Sequence, residues 1–353
     1  MVDWTASMKQ TFEYYTVDPN TWKDIEQIRS VTACGIKRDD SSKTLESATF
    51  NVTEYIGECY IRAYLVTIQN GLKEKHPLGT FLVQTPGLSF DGKISNVSVD
   101  AYSPLHELGE NPTPIGYSIL KDENIMDNAY RLCREKMRAP VIETQCDTTL
   151  FYDFVSNTDD TWLDFLTDLI ANAKHLFTLD EMSRVLFSPK QDTASLQPVW
   201  TYDDTNSSIL YPNISVDRDL YGIPNVIEVL YSTGSGYYYA RVVNDDSNSP
   251  ISTVNRGREI TKRITDPDLA GEATQEQIQE YAENLLRELS SLECTLTYTH
   301  GYCPVRVGDC VRLEYGRAGL TNIRAKVISQ SIKCEPGCPV TEKAVFTYKL
   351  WKG

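Results

Sequence analysis

Residues that announce chemistry are scarce in this chain. Four histidines, His76, His106, His175 and His300, are all that could serve a Ser-His-Asp or Cys-His site. None of them stands in a nucleophile elbow or a protease signature. No glycine-rich segment has phosphate-binding spacing: Gly234-Ser235-Gly236 separates two strand-like runs with no helix to follow, which makes it a turn. No apolar run approaches the ~20 residues that a helical membrane span needs. Met1 to Ser30 carries Asp3, Lys9, Glu13, Asp18, Lys23, Asp24 and Glu26, which leaves no apolar core for a signal peptide. Low-complexity tracts and short-period repeats are also missing, and with 41% apolar and 24% charged residues the chain is expected to fold throughout.

Basic charge is in deficit. The 34 Lys and Arg against 49 Asp and Glu leave a net charge of −15, the opposite of a surface that grips nucleic acid by neutralising phosphates. An acidic wall would instead let DNA pass without holding it. The nine cysteines, Cys34, Cys59, Cys133, Cys146, Cys294, Cys303, Cys310, Cys334 and Cys338, are odd in number and scattered, unlike a secreted disulfide framework, so folding in a reducing compartment is the simpler reading. The sequons at Asn51, Asn96, Asn206 and Asn213 would matter only in a eukaryotic secretory protein.

What is present points to sheets and interfaces. Tyrosine is abundant, 21 against 10 Phe and 5 Trp, and combines strand preference with a polar tip suited to half-wet surfaces. The length of 353 residues implies more than one domain. Residues 1–108 read as a first β domain: Ile25 to Lys37, Ala48 to Thr53 and Glu58 to Ile68 are strand-like, Asn70-Gly71 is a hairpin signal, and Gly79 to Thr85 returns. Turns follow at Pro86-Gly87 and Asp91-Gly92, then a strand through Ile94, Val97, Val99 and Ala101. Such spacing suggests a small antiparallel barrel or sandwich.

Residues 109–195 read as an α+β middle domain. A linker at Asn111-Pro112-Thr113-Pro114 precedes a helix over Asn124 to Arg138, and a second helix, capped at Thr158 or Asp159, carries an apolar stripe from Trp162 to Phe177. Asp180-Glu181-Met182-Ser183 then turns between short strands. Residues 196–353 read as a second β domain, with a hairpin across Gly234-Ser235-Gly236 and a helical insertion near 265–293, where Thr274 and Gln277 form a capping box. Strands follow at Cys294 to Tyr298, Cys310 to Tyr315, Ile323 to Ile328 and Ala344 to Leu350.

Two constellations could carry chemistry. The pairs Asp159-Asp160, Asp203-Asp204 and Asp245-Asp246 are of the kind a glycosidase uses, but each lies where a loop or helix start is expected, so solvated turns and caps are the simpler reading. Near the C-terminal end, His300, Cys303, Cys310, Cys334 and Cys338 are open to three readings: a zinc site, a disulfide between Cys334 and Cys338, or free structural thiols. The spacing does not match a zinc knuckle. No catalytic, cofactor or metal residue is assigned, and an enzyme is not expected.

The order of a strand-rich start, from Thr11-Phe12-Glu13-Tyr14-Tyr15 through Phe81-Leu82-Val83-Gln84-Thr85, a helical middle and a late β domain resembles baseplate hub proteins of tailed bacteriophages. So do Arg256-Gly257-Arg258-Glu259-Ile260 with its following capped helix, and Pro304, Gly308 and Asp309 before the alternating strand from Cys310. The resemblance implies two tail-tube-like antiparallel β-barrels joined by smaller domains, with three chains closing a ring by heterologous contacts. Such a homotrimer would join a hexameric tail tube or distal tail protein above to a trimeric spike, tip or fibre-bearing protein below, with a tape measure protein as a further neighbour. Its channel would pass DNA at ejection, and its place would be the virion after assembly in the bacterial cytoplasm. Two other functions fit an aromatic-rich β protein, a carbohydrate-binding host-recognition module and a cell-wall polysaccharide hydrolase.

Overall fold

The computed structural model describes residues 2–54, 56–86, 89–90, 95–191, 196–233, 236–267 and 273–351. The turn positions Gly87, Asp91, Gly92, Gly234 and Ser235, and the strand position Ile94, lie outside them. The fold is mainly β, as the strand patterns require. The chain divides into two compact units, Met1–Ile214 with Tyr298–Lys343 and Ser215–Thr297 with Ala344–Gly353.

The first unit begins with β1 (Lys9–Val17), β2 (Asp24–Gln27), β3 (Val31–Asp39), β4 (Glu46–Val52), β5 (Cys59–Gln69), β6 (Leu72–Pro86), β7 (Ser89–Phe90) and β8 (Ser95–Tyr102). Asn70 and Gly71 connect β5 and β6 with φ of 51° and 79°, the left-handed pair that a two-residue hairpin turn demands. Strand β5 is buried from Tyr60 to Thr67 because both of its faces are covered. Ile61, Ala63 and Leu65 pack on Ile36, Phe50 and Phe81, while Tyr60 on the other face packs with Trp22 and Ala139. Strand β4 alternates, with Glu46, Ala48, Phe50 and Val52 inward.

The middle of the same unit contains α1 (His106–Gly109), β9 (Ser118–Ile119), α2 (Ile125–Lys136), β10 (Val141–Ile142), β11 (Phe154–Val155), α3 (Trp162–Ala171), β12 (His175–Leu179) and β13 (Val185–Pro189). Asn124 caps α2 by accepting from the Asp127 amide. The cap of α3 is Thr161, in a reciprocal box with Asp164, and not Thr158 or Asp159. The Asp160 carboxylate, one residue earlier, is held by the Asn157 amide in the preceding turn. Phe177, expected on the helical stripe, lies in β12 and reaches the same core from there. That core joins Met126, Tyr130, Cys133, Trp162, Leu166 and Phe187.

The later elements are β14 (Pro198–Asp203), β15 (Leu210–Arg218), β16 (Val226–Thr233), β17 (Gly236–Val243), α4 (Thr253–Arg256), β18 (Thr261–Thr265), α5 (Gln275–Leu289), β19 (Ser291–Gly301), β20 (Cys310–Tyr315), β21 (Leu320–Lys333) and β22 (Pro339–Lys349). The strands pair in the order β15-β19-β22-β21-β3-β4-β8-β6-β5-β1-β2, with β20 beside β21 and β14 parallel to β20. Late strands thus join the sheet begun by the first hundred residues, through the antiparallel pairing of β21 with β3. Among the described residues, no pairing of β2 with β15 closes this path into a barrel.

The second unit is built on β16, with β17 antiparallel on one side and β18 parallel on the other. Thr274 and Gln277 cap α5 reciprocally as the sequence indicates, and Ile278, Ala282 and Leu286 bury against Ile227, Val229 and Ala240. On the strands' polar face, Glu228 sits between Arg241 and Arg263, and Arg241 also holds Glu259.

Candidate functional site

A continuous, largely buried polar network organises the first unit. It starts in the pairing of β3 with β21. Arg38, Ile36 and Cys34 alternate inward along β3, and the register sets Gln330 and Ile332 opposite the first two. Arg38 Nη1 donates to Gln330 Oε1 at 3.0 Å. Its Nη2 donates to the Leu78 carbonyl at 2.7 Å, which the sheet makes available by a bulge: Ala63 faces Gly79 and Tyr64 faces Pro77, so Leu78 is the extra residue. Gly79 sustains the bulge with φ of 147°, and a Cβ there would lie 2.5 Å from the Phe81 ring.

Glu46 supplies the balancing charge. Its carboxylate lies 3.2 Å from Arg38 Nε, without a well-aligned hydrogen bond, and accepts from Arg306 Nη2 at 2.7 Å. It also accepts from the Ser183 hydroxyl at 3.3 Å. Burial lowers the Arg38 pKa, and the nearby Arg306 charge lowers it further, while Glu46 acts in the opposite sense. Guanidinium stays ionised in such settings, so two cations share one buried anion and backbone carbonyls complete the set. Arg306 donates to the carbonyls of Leu179 and Asp180, in the turn before Ser183.

From that turn the contacts run on. Ser183 Oγ accepts from the Thr80 amide, and the Met182 carbonyl accepts from Thr80 Oγ1 and Trp22 Nε1. Thr80 Oγ1 in turn accepts from Arg62 Nε at 2.8 Å. The Arg62 side chain, 1% exposed, ends on Asp24 and the Trp22 carbonyl. The middle segment is therefore held on the sheet by side-chain hydrogen bonds and ion pairs that run from Arg38 and Glu46 to Arg62 and Asp24.

At the other end lies a Cys-His-Glu grouping. Gln330 Nε2 donates to Glu342 Oε1 at 2.6 Å and Tyr298 donates to Glu342 Oε2 at 2.6 Å. His300 Nε2 is 3.3 Å from Glu342 Oε1 and 3.0 Å from the Tyr202 hydroxyl, while Nδ1 lies 2.6 Å from the Gly301 carbonyl. Burial opposes the imidazolium, but hydrogen bonds to Cys303 and Glu342 and the Glu342 charge prevail and push the His300 pKa up to about 10. Burial likewise disfavours the Glu342 carboxylate, yet His300 holds its pKa below the ordinary range. With both ring nitrogens protonated, each faces an acceptor, so this is a buried ion pair. Cys303 Sγ is 3.9 Å from Nδ1, but the residue is 2% exposed and His300 0%, which denies a substrate access.

The other candidates disperse. His76 bonds Thr67, His106 bonds Gln84, and His175 bonds the Ala173 carbonyl. Asp160, Asp203 and Asp246 accept from nearby backbone amides in turns, and Asp204 pairs with Arg317, the roles expected of solvated loop carboxylates. All nine cysteines are free, and among the described residues no group of three or more His, Cys, Asp or Glu could hold a metal. No described helix is long and apolar enough to cross a membrane. A cavity of about 430 Å³ opens where the β3–β4 loop meets α3 and β12, and Arg38, Glu46, Arg306, Leu163, Phe177 and Leu179 are among the residues that line it. Sequence reasoning missed Arg38, Glu46, Gln330 and Glu342; the inward phase of Glu46 among apolar strand neighbours was the signal available.

No family model and no curated protein matches the chain. Its likeness is to solved structures. A tail protein from Neisseria meningitidis superposes with a TM-score of 0.61 at 11% identity, covering 96% of each chain. The 43 kDa tail protein of prophage MuSo2 from Shewanella oneidensis gives 0.59 at 13% identity, over 95% of this chain and 98% of its own. The Francisella PdpA-VgrG complex gives 0.56 at 8% identity, over 96% of this chain and 58% of the matched one. The chain therefore has the fold of phage tail proteins, and the resemblance read from the sequence holds at that level.

Proposed function

We propose that the chain is a structural protein of a phage tail, the baseplate hub, three copies of which close a ring between a sixfold tail tube and a threefold tip. The observation that carries this reading is the likeness to two tail proteins over almost the whole of both chains. The interior supports it: the polar groups at the centre of the first unit are spent on holding strands together, which leaves the surface to carry function. That surface has unpartnered apolar residues. Ile115, Leu120, Phe151, Tyr152 and Val155, on and beside the β9–β11 pair, are between 54% and 89% exposed. In the ring they contact a neighbouring copy or tail protein. The net charge of −15 suits a channel that passes DNA without binding it.

Native mass measurement and electron microscopy, with the chain alone and mixed with isolated tail tubes, test the proposal. A three-copy ring seated on tube ends is the expected result. A chain that stays monomeric at high concentration and does not dock on tube ends overturns it, and glycan binding or carboxylate-dependent polysaccharide cleavage by that monomer would put another function in its place.

A further inference from the structure

The register that pairs Arg38 with Gln330 and Ile36 with Ile332 continues by one more inward position. Gly35 faces Lys333, and the Cys334 amide donates to the Cys34 carbonyl at 2.9 Å, so Cys34 and Cys334 stand directly opposite each other. Directly opposed residues of an antiparallel pair point to the same face with a Cα spacing of about 5.5 Å, within the range a disulfide spans, and with Cβ atoms about 4.5–5.5 Å apart, which must close to about 3.5–4.5 Å as the bond forms. Both residues contribute to the same apolar cluster, and their side chains interact with each other and with Tyr14. The two are 300 positions apart, so nothing in the sequence joins them.

We infer that Cys34 and Cys334 form a cross-strand redox pair, held as thiols under reducing conditions and oxidised to a disulfide by a small-molecule disulfide once the protein meets an oxidising medium. Cys334 is half-buried, whereas Cys34 and Cys338 are buried at 7% and 0% exposure, so an external oxidant reaches Cys334 first. The Cys334 thiolate attacks the external disulfide and expels one of its thiols. Burial and the adjacent Cys334 hold the Cys34 thiol above its ordinary pKa, so Cys34 acts second and slowly: it gives up its proton, attacks the Cys334 sulfur of that mixed disulfide and expels the second thiol. Two protein thiols are oxidised, one small disulfide is reduced to two thiols, and the two protein protons end on those thiols. The product would tie β3 to the end of β21. Cys338, buried in the same cluster, is the competing partner, the one named for Cys334 in the disulfide reading of the sequence.

The test is equilibration of the folded full chain with oxidised glutathione, alkylation in denaturant and peptide mapping. The expected result is loss of two of the nine thiols, a Cys34–Cys334 linked peptide, and a melting temperature raised by several degrees that returns on reduction. Cys338→Ser should retain the link and Cys34→Ser should stop the reaction at a glutathione adduct on Cys334. Nine alkylatable thiols, a stable Cys334 adduct in the unsubstituted chain, or a Cys334–Cys338 peptide would each overturn the inference. If Cys34→Ser does not fold, the half-buried Cys334→Ser serves, with no adduct and no link expected.

Discussion

Arg306 Nη2 lies 2.7 Å from the Glu46 carboxylate although 260 residues separate them, and Arg38 approaches the same carboxylate at 3.2 Å. One anion thus serves two guanidinium groups from distant parts of the chain inside a single unit.

Removing that anion leaves two cations without their counter-charge. Glu46→Gln should lower the stability of the first unit by about 3–5 kcal/mol, the range for breaking a buried pair on one side. Urea denaturation followed by tryptophan fluorescence measures it. Lys43→Ala, which breaks an exposed pair with Asp164, should leave the midpoint unchanged. Equal effects of the two substitutions would show that burial does not set the cost.

The His300–Glu342 pair makes stability depend on pH in a defined window. His300 is raised from 6.5 to about 10 in the fold, so its contribution is complete below about 6.5, declines as the unfolded chain alone loses the proton, and is gone above about 10. Glu342 is lowered, so its contribution is present above 4.5 and lost as pH falls below it. Denaturation midpoints of the unsubstituted chain and His300→Gln between pH 5 and 10 should therefore converge above neutrality. A gap that does not change with pH, or an imidazole that titrates near 6.5 by NMR, would refute the assignment.

Gly79 should not tolerate a side chain. With φ of 147° and the Phe81 ring in the space a Cβ would occupy, Gly79→Ala should cost about 1–3 kcal/mol for the backbone alone. It should also disturb the Leu78 carbonyl that Arg38 uses. Gly57→Ala, at a position with open space, is the control and should be near neutral by thermal unfolding.

Much of this molecule was determined locally and so was legible in the sequence. The Asn70-Gly71 hairpin follows from two residues that accept positive φ, the Thr274–Gln277 box from side chains three residues apart, and the inward faces of β4 and α5 from periodicity. What only the tertiary structure decided is long-range: β21 beside β3, the bulge that frees the Leu78 carbonyl, and the convergence of Arg38, Glu46, Arg306, Gln330 and Glu342. Strand pairing between residues 300 positions apart leaves no local trace, since each strand's own pattern is satisfied by any apolar partner. A buried charge likewise reads as an exposed one until its counter-charge arrives from elsewhere in the fold.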